Sequence, residues 1–273
     1  MPSYAITGAS KGIGFEFLKQ LSADPSNTVI GLVRDVKSTE AKVAAEINRS
    51  NVHILHGDLD SYESLKAASA ATANITGGSL DYLIANGARL PGDSGFVGFA
   101  ELGKNPTALE EEILLECKTN VVGNIHLFNL FTPLILKGQQ KKVVLISSGM
   151  GDLDLVAKYE LEASGPYGVG KAATNMVVAK FSAEFARQGV LFMSISPGVV
   201  DTGHFHPENL TEQQRQAFAI FGAKLQKHSP SFSGLPMTPE ESVKAVISVY
   251  EKASVANGDG GSFVSHFGNK QWV

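Results

Sequence analysis

Seven short apolar runs, separated by segments with helical spacing, constrain the fold of this chain more than any other feature. The runs are rich in β-branched residues and read YAIT, TVIGLV, VHIL, LDYLIA, KVVLIS, VLFMSIS and SFVSHF in chain order. Between the first two, Ile13, Phe17, Leu18 and Leu21 form the apolar stripe of an amphipathic helix. Apolar strands that alternate with helices are typical of a parallel sheet covered on both faces. The sequence therefore predicts an α/β fold, a doubly wound, seven-stranded, mostly parallel sheet with helices on both faces.

Charge and cysteine content narrow the classes of function. The net charge of -4 is spread without long runs of one sign, which gives no basic face for nucleic acid. The single cysteine, Cys117, excludes an internal disulfide and is typical of a reducing compartment. The longest apolar stretch, LFNLFTPLIL, is too short to span a bilayer, and the N-terminus enters a strand without a signal peptide. We expect a cytoplasmic protein that acts on a small molecule.

A glycine-rich turn follows the first predicted strand. The segment TGASKGIG carries Gly8, Gly12 and Gly14 immediately before the amphipathic helix. Glycines here permit a tight turn, let backbone amides approach a pyrophosphate and let the helix pack closely on the sheet. Glycine-rich turns alone are weak evidence, but this one heads a doubly wound pattern. It predicts a Rossmann-like dinucleotide site.

The end of the second predicted strand bears on the choice of dinucleotide. Arg34 follows the run TVIGLV, about 20 positions after Gly14. A basic residue there suits the 2′-phosphate of NADP, and Lys11 could add a second positive charge. Asp35 is the alternative, because its carboxylate could turn inward and favour NAD. The position of Arg34 favours NADP(H) over NAD(H).

A tyrosine and a lysine four residues apart follow the fifth predicted strand. Residues with this spacing share one helix face, so Tyr167 and Lys171 can project into one pocket. A nearby ammonium is expected to lower the pKa of the phenol, which would make Tyr167 a usable proton donor or acceptor. Ser148 ends the fifth strand, where ligands of such sheets bind. Its neighbour Ser147 should point to the other side of the strand.

The same spacing occurs earlier, in SYESLK. Tyr62 and Lys66 follow the third predicted strand, and either Asp60 or Ser61 could be the N-cap of their helix. No serine at a strand end precedes this pair at a comparable distance. We interpret it as a solvated helix face.

These motifs together resemble one protein family. TGASKGIG, Asn120 in KTNVVGNIHL, Ser148, the YGVGK helix and SPGVVDT are similar to those of the classical short-chain dehydrogenases/reductases. The likeness covers essentially the whole chain. Within the family it is closest to fungal ketoreductases and to sniffer-like or C-factor-like carbonyl reductases.

The resemblance implies roles for individual residues. Ser148 would position a carbonyl oxygen, Tyr167 would deliver a proton, Lys171 would bind the nicotinamide ribose, and Asn120 would hold a water in a proton relay. Asp58 and Leu59 would border the adenine, and Asn86 would line the cofactor cleft. Pro197, Gly198 and Thr202 would flank the nicotinamide. The other cofactor contacts predicted from the matching motifs are Ser10, Ile13, Gly87 and Val200.

Two departures from the family pattern concern the site. The usual Asn-Ala-Gly after the fourth strand is replaced by Asn86, Gly87 and Ala88, so local contacts to the cofactor could differ. The segment from Ser148 to Tyr167 is also longer than the commonest spacing. His204 and His206 lack a third ligand at suitable spacing, so no metal site is predicted.

The chain is expected to form one domain over residues 1–273. Residues 1–100 would be mainly the dinucleotide-binding half, 101–202 the catalytic half, 203–239 a helical lid over the substrate, and 240–273 the last helix and strand. The expected activity is NADP(H)-dependent interconversion of a ketone or aldehyde and an alcohol, in the reducing direction. Phenylalanines in QAFAIFGAKL hint at an apolar or aromatic carbonyl substrate. The family likeness also implies a homodimer or homotetramer.

Two other functions fit less well. A catalytically silent NADPH sensor would usually show a broken tyrosine-lysine pair, and both residues are intact here. A nucleotide-sugar epimerase or dehydratase of the extended type would have a larger C-terminal domain than the segment that follows Thr202.

Overall fold

The computed structural model describes residues 1–203 and 207–273. Seven strands form one sheet in the order β3-β2-β1-β4-β5-β6-β7, and every pair of neighbours is parallel. This confirms the predicted fold class, and all seven apolar runs are strands. Their bounds are β1 Ser3–Thr7, β2 Thr28–Val33, β3 Val52–His56, β4 Tyr82–Ala85, β5 Lys142–Ile146, β6 Leu191–Ser196 and β7 Phe263–Ser265.

The helices connect these strands and cover the sheet. Their bounds are α1 Gly12–Leu21, α2 Val36–Glu46, α3 Tyr62–Thr76, α4 Phe99–Leu102, α5 Pro106–Glu116, α6 Gly123–Ile135, α7 Leu153–Tyr159, α8 Gly165–Phe185, α9 Glu212–His228 and α10 Pro239–Lys252. A π-helical segment, Cys117–Val122, joins α5 to α6. In the described parts of the chain, no helix combines the length and the apolar character that crossing a bilayer requires.

Two hydrophobic clusters lie on opposite faces of the sheet. Successive residues of β1 point to opposite sides, so Ile6 belongs to one cluster and Ala5 to the other. The first cluster contains residues of α1 and α10, and the second contains residues of α3, α6 and α8. Helices therefore bury both faces, which explains why the strands are apolar throughout.

The strand order reverses next to β1. The chain runs from β1 outward to β2 and β3, then returns to place β4 on the other side of β1. A reversal of this kind marks the position, at the carboxyl edge of the sheet, where ligands of such folds bind in a crevice. The glycine-rich turn and Asn86 follow these two strands.

The two longest irregular segments contain helices. Residues 89–106 include a 3₁₀ turn, Asp93–Phe96, and the single turn of α4. In the segment 203–239, α9 contains the whole of QAFAIFGAKL and starts at a capping box, in which Thr211 and Gln214 exchange hydrogen bonds. The lengthened piece between Ser148 and Tyr167 contains α7.

Candidate active site

Tyr167 and Lys171 lie on one face near the start of α8. Pro166 is in the first turn of this helix, where its missing N–H costs nothing. The Lys171 side chain is buried, with 4% exposed, and its Nζ donates to the carbonyl of Ile146 at 2.9 Å. The same Nζ is 5.6 Å from the centroid of the half-buried Tyr167 ring. The pair therefore lies at the carboxyl end of β5.

Ser148 rather than Ser147 faces this pair. Ser148 follows β5 directly, and its hydroxyl accepts from the Met150 N–H at 3.2 Å. It also hydrogen-bonds the Tyr167 hydroxyl. The Ser147 hydroxyl instead donates to Oδ1 of Asn175 at 2.7 Å. Alternation along the strand thus brings Ser148 and Tyr167 together.

Burial dominates the protonation of the pair. It raises the pKa of Tyr167 well above its ordinary value, although the hydrogen bond with Ser148 opposes the shift. It lowers the pKa of Lys171 from 10.5 to about 8, against the charge of Glu116. The structure therefore differs from the expectation that Lys171 makes the phenol more acidic. The reason is that burial of the phenol has the largest effect on its pKa, while the ammonium donates to the Ile146 carbonyl.

Asn120 lies in the π-helical segment and binds the loop that follows β4. Its Oδ1 accepts from the Arg89 N–H at 2.8 Å, and its Nδ2 donates to the Arg89 carbonyl at 3.1 Å. Nδ2 also donates to Oε2 of Glu116 at 2.5 Å. The Asn120 carbonyl accepts from the side chains of Asn124, at 2.7 Å, and Thr174, at 3.1 Å. The side chain thus fixes the loop, and its part in holding a water stays a prediction.

The glycine-rich turn has the shape of an anion cradle. Gly8 and Gly12 have φ angles of 66° and 54°, which favour glycine. A Cβ on Gly14 would lie 2.2 Å from the Gly8 carbonyl oxygen, so no side chain fits there. The N-terminus of α1 has neither a side-chain cap nor an acidic residue in its first turn. Its free N–H groups therefore suit a pyrophosphate.

The other residues of the turn divide between solvent and core. Ser10 and Lys11 are exposed, whereas Ile13 packs against the core cluster that contains α1. The exposed pair can thus face a bound phosphate while Ile13 anchors the helix.

The loop after β4 packs directly against the glycine-rich turn. Asn86 Nδ2 donates to the carbonyls of Thr7 and Gly8 at 3.1 and 3.3 Å. The Gly87 N–H donates to Thr7 Oγ1 at 2.8 Å, and a Cβ on Gly8 would lie 2.7 Å from Gly87 Cα. The changed order, Asn-Gly-Ala, therefore places its glycine at a close approach of two backbones.

The ends of β2 and β3 lie at the carboxyl edge of the sheet, where the adenine contacts were predicted. Arg34 is exposed directly after β2. Asp35 is the N-cap of α2, and its Oδ1 accepts from the Ser38 N–H at 3.0 Å. After β3, Asp58 accepts from the Asp60 N–H at 3.0 Å, and Leu59 lies 3.2 Å from the Cβ position of Gly87.

The loop after β6 closes the other side of the crevice. The Pro197 carbonyl accepts from the Ser242 hydroxyl at 2.8 Å, and Gly198 has a φ of 86°. Val200 forms an isolated parallel bridge with Met237. The Thr202 methyl lies 3.2 Å from the Cβ position of Gly12, so this loop reaches the glycine-rich turn.

A small apolar cavity of about 60 Å³ adjoins Ser148. Apart from Ser148, Gly198 and the α9 residues Phe221 and Leu225, its lining was missed from the sequence, because it joins distant segments with no shared motif. The lining residues include Met150, Leu155, Leu161, Val199, Phe221, Leu225 and Trp272.

His204 and His206 lie outside the described residues. Within the described ranges, no three side chains of the metal-ligating types come together.

Comparison with known proteins agrees with this geometry. The family profile described as short chain dehydrogenase matches residues 3–213. The short chain dehydrogenase virK of Hypocrea virens is 53% identical over 274 residues, and the short-chain dehydrogenase/reductase iacC of Pestalotiopsis fici is 51% identical over 275. Both alignments cover 100% of each chain.

Solved structures share the fold across nearly the whole chain. NADPH-bound carbonyl reductase from chicken fatty liver superposes with a TM-score of 0.73 at 24% identity and covers 98% of each chain. Carbonyl reductase Sniffer of D. melanogaster gives a TM-score of 0.74 at 21% identity, with the same coverage. From its profile match and these relatives, the chain belongs to the short-chain dehydrogenase/reductase family of oxidoreductases, which bind nicotinamide cofactors.

Proposed function

We propose that this protein uses NADP(H) to interconvert a ketone or aldehyde with an alcohol, and that it works as a carbonyl reductase. The main support is the convergence of Ser148, Tyr167 and Lys171 at the carboxyl end of β5, beside the apolar cavity. Two hydroxyl groups and one buried cation next to a cavity suit a carbonyl oxygen that becomes negative during the reaction.

Each side chain has a distinct task in this mechanism. The Ser148 and Tyr167 hydroxyls hold the carbonyl oxygen, and Tyr167 donates its proton as negative charge grows there. Burial keeps the phenol protonated at neutral pH, which suits a donor in the reducing direction. In the resting site burial outweighs the nearby Lys171 ammonium, and this ammonium offsets the negative charge of the phenolate once the proton has left. Asn120 fixes the loop after β4 and, by the family likeness, holds a water that returns a proton.

The nicotinamide dinucleotide supplies the hydride when bound. The uncapped start of α1 fits its pyrophosphate, as described above. The residues that would hold the dinucleotide are Gly8, Ser10, Lys11, Gly12, Ile13, Gly14, Arg34, Asp58, Leu59, Asn86, Gly87, Pro197, Gly198, Val200 and Thr202, together with Tyr167 and Lys171.

The side chains after β2 support NADP(H) over NAD(H). Arg34 is exposed at the strand end, and Lys11 is exposed in the glycine-rich turn. Asp35, the residue that would favour NAD, is engaged as the cap of α2. The chicken carbonyl reductase binds NADPH, but that likeness shows the fold alone.

Replacing Arg34 by Asp tests this cofactor preference. Arg34→Asp removes a positive charge from the 2′-phosphate position and adds a negative one, so we expect kcat/KM to shift from NADPH toward NADH by about 10² or more. Steady-state kinetics with both cofactors measure the shift. The exposed Lys37→Asp on α2 carries the same charge change as a control, and an unchanged preference in Arg34→Asp would reject the phosphate contact.

The cavity beside Ser148 favours an apolar or aromatic carbonyl. Met150, Leu155 and Trp272 contribute to its wall, and Phe221 reaches it from α9. We infer that the segment 203–239 acts as a lid through α9, because Phe221 and Leu225 of this helix pack in the same cluster as Trp272.

A panel of carbonyls with NADPH tests the activity. We expect NADPH to be oxidised, as followed by its absorbance, with a kcat on the order of 1–10³ s⁻¹ for good substrates. Aryl or long alkyl ketones should be preferred over small polar ones. A protein that binds NADPH but reduces no carbonyl would be a sensor, and the proposed activity would be rejected.

Exposed apolar side chains and the cysteine content bear on assembly and location. Exposed apolar side chains on α5 and α8, including Leu114 and Met176, support a homodimer or homotetramer formed through these helices. Sedimentation velocity measures the assembly state. The single cysteine supports a cytoplasmic location.

A further inference from the structure

Glu116 is a buried carboxyl group that the proposed mechanism does not use. It is the last residue of α5 and only 1% exposed. Glutamate is almost never buried to this extent unless it is paired. Its Oε2 accepts from Asn120 Nδ2 at 2.5 Å, and this amide also holds the Arg89 backbone. Glu116 thus completes the set of contacts that fixes the loop after β4.

The second oxygen of Glu116 is only loosely paired. Among the described residues, Oε1 has no hydrogen-bond donor. Its nearest cation is Nε of Arg89 at 3.7 Å, and the Arg89 side chain is 41% exposed at the edge of a cleft of about 470 Å³. Hydrogen bonding therefore leaves much of the carboxylate charge uncompensated.

The start of α8 lies on the other side of the carboxyl group. A Cβ on Gly170 would lie 3.4 Å from Glu116 Oε2, so the carboxylate sits against the backbone beside Lys171. Of the charged groups that face Glu116, Arg89 and Lys171 favour its ionised form and Glu112 opposes it. Glu116 in turn opposes loss of the Lys171 proton and ionisation of Tyr167.

Burial moves the pKa values of Glu116 and Lys171 toward neutral pH. It raises the pKa of Glu116 to about 7 and lowers the pKa of Lys171 to about 8. The state with an ionised Glu116 and a charged Lys171 therefore prevails only in a narrow range around these values. Outside that range one buried charge is left without its opposite.

We propose that Glu116 is a positioning residue of the active site, whose buried carboxylate anchors the Asn120 amide and whose negative charge sustains the positive charge on Lys171. This inference rests on the proposed function for its kinetic consequence. Glu116 touches neither cofactor nor substrate in this scheme and acts through Lys171 and Asn120.

The variant Glu116→Gln tests the negative charge of Glu116 separately from its hydrogen bond with Asn120. Glutamine can still accept the hydrogen bond from Asn120 but carries no charge. We expect the alkaline limb of kcat/KM for carbonyl reduction to move to lower pH by about 0.5 to 1, because Lys171 loses its proton more easily. The acidic limb that reports Glu116 ionisation should disappear.

A second variant shifts the acidic limb of the pH profile instead of the alkaline one. Arg89→Met removes a cation that favours the ionised Glu116, so the acidic limb should shift to higher pH. Glu111→Gln, which removes an equal charge from the cleft side of α5, should leave both limbs in place. Wild-type profiles in both Glu116→Gln and Arg89→Met would overturn the proposal. If Glu116→Gln does not fold, Arg89→Met and Glu116→Asp decide, and limbs at the wild-type pH in both would overturn it.

Direct titration of Lys171 separates this inference from the proposed activity. In protein labelled with ¹³Cε-lysine, the Lys171 signal is identified by its loss in Lys171→Met and followed by NMR against pH. We expect its midpoint to fall in Glu116→Gln and to stay in Glu111→Gln. If no carbonyl is reduced, the activity proposal fails while this midpoint still tests the electrostatic link. An unchanged midpoint would reject the link even in an active enzyme.

Discussion

Two tyrosine-lysine pairs with the same spacing have opposite surroundings in this protein. Tyr62 begins α3 on the surface, where the residue is 45% exposed and its ring packs edge-on against His126 at 5.1 Å between centroids. Lys66 is exposed, and the N-cap of the helix is Ser61, which accepts from the Ser64 N–H. In the pair on α8, by contrast, Lys171 is buried and bonds to the end of β5.

The difference shows that the spacing aligns the two side chains, whereas burial and neighbouring groups determine whether they can react. Both side chains of the surface pair are exposed to water. The pair on α8 has lost that solvation, and both of its pKa values are displaced in consequence. A strand-end serine accompanies only this second pair.

Removing the Tyr167 hydroxyl should have the largest effect. Tyr167→Phe deletes the proposed proton donor, so we expect kcat to fall by about 10² to 10⁴. Affinity for NADPH, measured by fluorescence titration, should stay within about twofold, because the hydroxyl acts in the transition state. Near-normal turnover in this variant would remove the proposed mechanism.

Replacing Lys171 should change how stability depends on pH. Since the pKa of Lys171 falls to about 8 on folding, the unfolded chain binds this proton more tightly between pH 8 and 10.5. The destabilisation caused by burying the charged Lys171 ammonium is fully present below pH 8 and is lost as pH rises through this window. The free energy of unfolding of Lys171→Met relative to wild type should thus decline by up to about 3 kcal/mol from pH 8 to 10.5.

Urea unfolding at several pH values measures this difference. Lys66→Met is the matched control, because the exposed side chain keeps its solvation. A constant difference between Lys171→Met and wild type over the window would show that Lys171 is not desolvated as the structure indicates.

Changing the surface pair should have the smallest effect. Tyr62→Phe removes a hydroxyl from an exposed ring, so we expect unchanged turnover and a stability change within about 0.5 kcal/mol. The measurements are the same assay and urea titration. Loss of activity in Tyr62→Phe would mean that the wrong pair has been assigned to the reaction.

The sequence predicts most of the fold because strands that are buried on both faces are apolar along their whole length, and such runs are visible in the local sequence. Each apolar run becomes a strand, and β2 coincides with its run, TVIGLV. The glycine-rich turn is equally local, since Gly8 and Gly14 are needed by contacts within a few residues or with the adjacent strand end.

Other parts of the site depend on contacts between distant segments, which no local sequence pattern indicates. The contacts of Asn120 with Arg89 and Glu116 depend on where the π-helical segment turns its side chains. Trp272 reaches the cavity from beyond the last strand. The protonation of Tyr167 depends mainly on how deeply its hydroxyl is buried, which spacing does not determine.

The π-helical segment Cys117–Val122 makes the length of this region more critical than its composition. It absorbs one surplus residue between α5 and α6, so each helix can present its own face to different neighbours. Deleting one residue would restore regular winding and leave the faces of α5 and α6 in place, so the change would fall on the side chains of the segment itself. Phe128 and Phe131 would keep their places in the core, while Asn120 would lose the wide turn that places its amide against Glu116 and Arg89. Single-residue insertions and deletions should therefore be far less tolerated here than amino-acid exchanges.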